Sequence, residues 1–133
     1  MQSVVIDTHV AIWYVADPSK ISSKALKAMD DATQAGLPIY VPSISLIEMC
    51  YLVEKGKISQ VFLDRVDSSL DDPDASWQIV PLDLRISRMI GQVSRAEVPD
   101  MPDRIIAATA LALGLPLVSR DRKIQASSIQ TIW

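Results

Sequence analysis

One cysteine and one histidine in 133 residues remove several chemistries at once. Cys50 alone permits no internal disulfide, which suits a reducing cytoplasm, and a lone small thiol of this kind is expected to be buried. His9 alone excludes a histidine pair and with it a conventional zinc site. Next to Asp7 it reads as a structural neighbour rather than a general base. Glycine is scarce too: the four glycines stand at the ends of predicted helices or, for Gly91, inside one, so no Gly-rich phosphate loop can be drawn. Nothing places a serine in a nucleophile elbow. Three Trp, three Tyr and one Phe fall mostly at strand or helix positions, which argues against a base-stacking platform.

Long apolar runs are also missing. The longest, Ile105 to Val118, is well short of the roughly 20 residues a membrane-spanning helix needs, and Gly114 and Pro116 interrupt it. The N-terminus enters Ser3-Val4-Val5-Ile6 without a basic flank, so neither a membrane span nor a signal peptide is expected. Positive charge is not in excess. Thirteen Lys and Arg against sixteen Asp and Glu give a net charge of −3, which weighs mildly against nucleic acid, where neutralised phosphates supply much of the affinity.

What is present points to a folded α/β domain, expected to occupy residues 1–133 as one unit. A hydrophobic fraction of 49% is enough for a sizeable core. Short β-branched or apolar runs at Val4–Ile6, Ile39–Val41, Trp77–Val80, Leu117–Val118 and Ile129–Ile132 read as strands. Between them lie helical patterns: one after Asp7 that stops at Pro18, one from Ser22 or Ser23 to Gly36, one over Ser43–Lys55 and one over Ser59–Leu70. Another, capped by Asp83, carries Leu84, Ile86, Ile90 and Val93, and a last one has Pro102 in its first turn and Gly114 as its stop. Strands alternating with helices predict a three-layer α/β/α domain on a mainly parallel sheet of about five strands.

Asp7, Glu48, Asp103 and Asp121 each fall where a strand ends or a helix begins. Singly, each has an ordinary explanation. Asp7 can cap a helix, Glu48 completes a capping-box pattern with Ser45, Asp103 sits where the helix dipole favours an anion, and Asp121 suits a turn. Together they share an address, because in a parallel α/β sheet the helices start at the C-terminal edge of the strands, where such folds bind ligands. Two carboxylates about 5 Å apart repel by roughly 3 kcal/mol at an effective dielectric near 20, so four of them call for a cation. An oxygen-only donor set favours Mg²⁺ or Mn²⁺ over zinc. Such a site orients a water, lowers its pKa and holds a phosphate. Arg104, Arg120, Arg122 and Lys123 beside two of the acids form a basic rim suited to a phosphate backbone.

With these motifs in place the chain resembles the PIN-domain nucleases, and within them the VapC-type toxins of bacterial toxin–antitoxin pairs. Val5-Ile6-Asp7-Thr8-His9-Val10-Ala11-Ile12-Trp13 is similar to the first motif of the family and Ser45-Leu46-Ile47-Glu48-Met49 to the second. Pro102-Asp103-Arg104-Ile105-Ile106-Ala107-Ala108-Thr109-Ala110 and Val118-Ser119-Arg120-Asp121-Arg122-Lys123-Ile124 resemble the later two. The resemblance implies a Mg²⁺- or Mn²⁺-dependent endoribonuclease with Asp7, Glu48, Asp103 and Asp121 as its acids. It makes Thr8 and Ser119 supporting hydroxyls and Arg104, Arg120 and Lys123 the contacts to RNA. It also implies a homodimer and a small cognate antitoxin. Where many relatives carry a further acid in the last motif, Arg122 and Lys123 stand here, which leaves the number of metals open. Two other classes share the fold type. A phosphoacceptor receiver module needs an adjacent acidic pair and a Lys after the last strand, and neither is present; a catalytically silent binding protein would keep the fold alone.

Overall fold

In the computed structural model, which describes residues 2–133, the first strand shows how the layers arise. Within Val4–Ile6 (β1), Val4 and Ile6 enter one buried apolar cluster and Val5 enters another. This is the period-2 alternation of a strand covered on both faces. Leu117–Val118 (β4) divides the same way. With Ile39–Pro42 (β2), Trp77–Val80 (β3) and Thr131–Ile132 (β5) they form a sheet in the order β3-β2-β1-β4-β5, every neighbouring pair parallel.

Helices Thr8–Ala16 (α1), Ser23–Gln34 (α2), Ser43–Glu54 (α3) and Gln60–Asp71 (α4) supply Val10, Met29, Met49 and Val66 to the first cluster. Leu84–Met89 (α5), Met101–Leu113 (α6) and Arg122–Gln125 (α7) supply Ile86, Ile106 and Ile124 to the second. The three-layer expectation therefore holds. Small buried residues of α6, Ala107, Ala108, Ala110 and Ala112, keep that helix close to the sheet, and Gly114 ends it at φ 65°, a left-handed turn that glycine adopts without strain.

Three details differ from expectation. The helix capped by Asp83 stops at Met89 and continues only as a 3₁₀ turn, Ile90–Gln92. Gly91 is a poor helix former, and Arg104 Nη2 takes the carbonyls of Ile90 and Val93 at 3.0 and 2.9 Å. The last strand is two residues long because Ile129 turns into the core instead. Cys50 is exposed rather than buried, since α3 is apolar on its outer face as well: Ile47 and Tyr51 beside it are 54% and 59% exposed.

The chain order sets the position of the site. From β1 it builds outward to β2 and β3, then crosses to β4 on the opposite flank of β1. The β1/β4 boundary is thus where the winding direction reverses, and the crevice beyond the C-terminal ends of such a pair is the usual ligand position in open α/β sheets. Asp7 follows β1 directly, its N–H donating to the Val118 carbonyl at 3.2 Å, and Ser119 follows β4.

Candidate active site at the reversal point of the sheet

Asp7, Glu48, Asp103 and Asp121 all line one cavity of about 610 Å³. Four remote stretches of chain deliver them. Asp7 and Asp121 are also helix caps: Asp7 Oδ1 accepts from the Val10 N–H and Asp121 Oδ1 from the Ile124 N–H, each at 3.0 Å. The ordinary reading of Asp7 as a cap is therefore true, whereas Asp121, expected in a turn, caps α7 instead, and each carboxyl keeps a second oxygen beyond its cap bond. The capping-box reading of Glu48 is not. Helix α3 begins at Ser43 after an uncapped Pro42, so Ser45 and Glu48 lie inside the helix.

Glu48 is held instead by a neighbouring helix. Thr8 Oγ1 lies 2.6 Å from Glu48 Oε1 and 3.0 Å from Ser45 Oγ, with Ser45 and Thr8 both buried. A hydroxyl has one proton and an ionised carboxylate can only accept, so Thr8 donates to Glu48 and accepts from Ser45. Ser119, fully buried, ties the other two corners: its Oγ accepts the Asp121 N–H at 3.0 Å, and its hydroxyl helps the Asp7 carboxyl to ionise.

A fifth acid, Asp100, lines the same cavity. It is the N-cap of α6, its Oδ2 accepting the Asp103 N–H at 3.2 Å. Sequence reasoning missed it, although an Asp two residues before a Pro that opens a helix is a readable cap signal. The crowding shows in the electrostatics. Burial, then the charges of Asp100, Asp121, Glu48 and Asp7, push the Asp103 carboxyl from its ordinary 3.8 to about 7. Burial likewise raises Asp7, against the Ser119 and Val10 hydrogen bonds and the nearby His9.

The basic rim is only partly as expected. Arg120 and Arg122 line the cavity, and the Arg120 guanidinium stands 5.7 Å from the centre of the Trp13 ring. Arg104 does not line it: its guanidinium is turned onto the Ile90 and Val93 carbonyls, so its place in the rim is corrected to a clamp between α6 and the preceding turn. Lys123 is exposed on α7, outside the cavity wall. His9 was expected as a structural neighbour of Asp7. It is exposed and lines the cavity with Trp13, 5.7 Å from it ring to ring.

The donor set fits a hard divalent cation, being dominated by carboxylates in a cavity where burial and then the neighbouring acids push one of them far up. The side chains are not drawn in around an ion: among the described residues no three His, Cys, Asp or Glu form a ready metal-holding group.

The PIN domain profile matches residues 4–128. The chain belongs to the PIN-domain family. It is 30% identical, over 94% of its length and 92% of the relative's, to Ribonuclease VapC22 of Mycobacterium tuberculosis (strain ATCC 25618 / H37Rv). Among solved structures this PIN domain superposes on VapBC2 of Rickettsia felis bound to a DNA fragment from its promoter. The TM-score is 0.73, with 18% identity and 98% and 97% of the two chains covered. DNA-bound VapBC of Salmonella typhimurium gives 0.67 with 19% identity over 98% and 97%. These two likenesses are of fold. No described helix of this PIN domain is long and apolar enough to cross a membrane.

Proposed function

We propose that the chain is an endoribonuclease of the VapC kind, the toxin of a toxin–antitoxin pair, which hydrolyses RNA phosphodiesters with the help of Mg²⁺ or Mn²⁺. The observation that carries this reading is the convergence of five carboxylates from four separate parts of the chain on one cavity of a PIN domain. The likeness to a protein named a ribonuclease gives the substrate class.

Asp7, Glu48, Asp103 and Asp121 are the residues that would hold the cation. When bound, a divalent cation supplies Lewis acidity to a phosphate and lowers the pKa of a water. The rest is the work of this chain. Thr8 aims Glu48 into the cavity from α1, and Ser119 fixes Asp7 relative to the start of α7. Arg120 and Arg122 at the rim draw the RNA backbone towards a cavity that would otherwise repel it.

Two partners follow from the same reading. VapBC structures supply the expectation of a small antitoxin protein. The apolar outer face of α3, with Ile47 and Tyr51 exposed, suits a homodimer.

The decisive experiment incubates the purified chain with RNA and either Mg²⁺, Mn²⁺ or excess EDTA. Cleavage with the ions and none with EDTA is the expected result, with 5′-phosphate products, because attack by water does not use the 2′-hydroxyl. Full activity in EDTA, or 2′,3′-cyclic ends, rejects the reading.

A further inference from the structure

The acidic cavity poses a problem for its own substrate, since the nucleotides flanking the cut must leave it past a wall in which five carboxylates outnumber two arginines. One exit is built differently. His9 and Trp13 line the acidic cavity and also line a second one of about 580 Å³, so the two are adjacent. The second cavity lies between α1, the 3₁₀ turn Pro18–Lys20 and the start of α4, and its wall includes Phe62, Lys20 and Lys57. Both lysines are exposed. Asp17 is the one acid in its wall, and its carboxylate is turned back on its own loop, accepting from the Ser19 N–H and hydroxyl. The groove therefore presents aromatic and apolar surface with an excess of positive charge, opposite in sign to the cavity it adjoins.

We propose that this second groove is a flanking-nucleotide subsite: it takes an unpaired base of the RNA next to the scissile phosphate, with Lys20 and Lys57 on the adjoining backbone. The inference rests on the ribonuclease reading above and adds to it a direction for the RNA and two sets of contacts. Flat aromatic faces beside a basic track are what sequence-tolerant single-strand binding uses. The volume falls within the range of about 300–1,000 Å³ that small-ligand clefts occupy. It also revises the expectation from composition. Seven Trp, Tyr and Phe are few, but the fold gathers two of them, Trp13 and Phe62, with His9 along one groove.

The test compares the wild type with Lys20→Ala/Lys57→Ala and with Phe62→Leu, which keeps apolar bulk and removes the flat face. A Lys24→Ala/Lys27→Ala pair, two lysines of α2 outside both cavities, controls for net charge. Each is carried in an Asp7→Asn background for binding and in the native background for cleavage. The probe is a long unstructured RNA containing a mapped cut and the same RNA trimmed close to that cut. The Lys20/Lys57 pair is expected to reduce the salt slope of binding to the long RNA by about 0.7 per lysine. Phe62→Leu is expected to bind it about tenfold more weakly. Both are expected to lose most of the affinity the wild type gains on going from the trimmed to the long RNA, while the Lys24/Lys27 control keeps that gain. The proposal is overturned if the groove variants bind and cut the long RNA as the wild type does, including the case in which they lose only association with a small protein partner. A wild type that cuts no RNA removes the ribonuclease reading itself, and this one with it.

Discussion

Two corners of the acidic cavity reach the same charge by opposite means. At the β1/α1 corner Asp7 is both cap and candidate ligand, buried to 9% exposure with Val10 on one oxygen and Ser119 beside it. At the start of α6 the two tasks are divided: Asp100 caps, and Asp103 is left free to face the other acids. The difference teaches that a carboxylate at a helix start is not defined by its position. Where it carries the cap, function and fold share one side chain. Where a neighbour carries the cap, the acid has no cap bond of its own to set against burial and the surrounding charges.

The largest effect expected from this comparison is on activity. Asp7→Asn and Asp103→Asn each remove a charge at nearly constant size, and RNA cleavage falls by orders of magnitude in both, read as initial rates on a defined RNA. Wild-type rates in either would take that residue out of the chemistry. Next comes the hydroxyl that holds the third acid. Thr8→Val deletes the bond to Glu48 and lowers activity or cation affinity by about 10–100-fold, as loss of an outer-shell partner does. Thr8→Ser restores most of it, and cation binding followed by calorimetry should move in parallel with the rate.

The two corners separate most sharply in stability. Asn can cap a helix and Ala cannot, so Asp7→Ala lies below Asp7→Asn by about 0.5–2 kcal/mol in denaturant unfolding. At position 103 the same Ala-to-Asn gap stays within about 0.5 kcal/mol, because Asp100 supplies the cap. Equal gaps at the two positions would refute the division of labour. Glu48 joins the second group: Glu48→Gln and Glu48→Ala both lose activity and differ little in stability, since α3 has no capping box to lose.

The smallest effect is a slope with pH. Asp103 binds its proton more tightly in the fold, at about 7, than at its ordinary 3.8. Its contribution to stability is thus fully present below about pH 4 and is lost as pH rises to 7. In the absence of divalent cation the melting temperature declines across that window, and Asp103→Asn makes the decline shallower. Parallel curves for the two proteins would show that Asp103 is not strained.

The order of strands and helices was legible because short β-branched runs and capped helical stretches alternate along the chain. The four acids were legible because parallel topology sends every helix start to one edge. What the sequence hid is contact between elements remote in the chain. That Thr8 rather than a cap holds Glu48 depends on α1 and α3 meeting, a fact no local pattern carries. That Arg104 faces away from the cavity depends on the helix before it ending early at Met89, which exposes carbonyls for it to take. Cys50 was misplaced for a different reason: a lone small thiol is usually buried, but α3 carries apolar residues on its exposed face too.

That clamp has a kinetic consequence. Residues 90–100, between α5 and α6, belong to no strand, and beyond the buried Val93 and Val98 their hold on the body includes the two carbonyls gripped by Arg104. A segment with no strand pairing, held by these contacts and the packing of Ile90, is expected to open on its own at lower cost than unfolding the sheet. Its amides should exchange with solvent long before those of β1, and sooner still in Arg104→Lys, because a single ammonium cannot reproduce the planar guanidinium's reach to both carbonyls. Since Asp100 lies at the end of this segment, each brief opening also withdraws one of the five charges from the cavity.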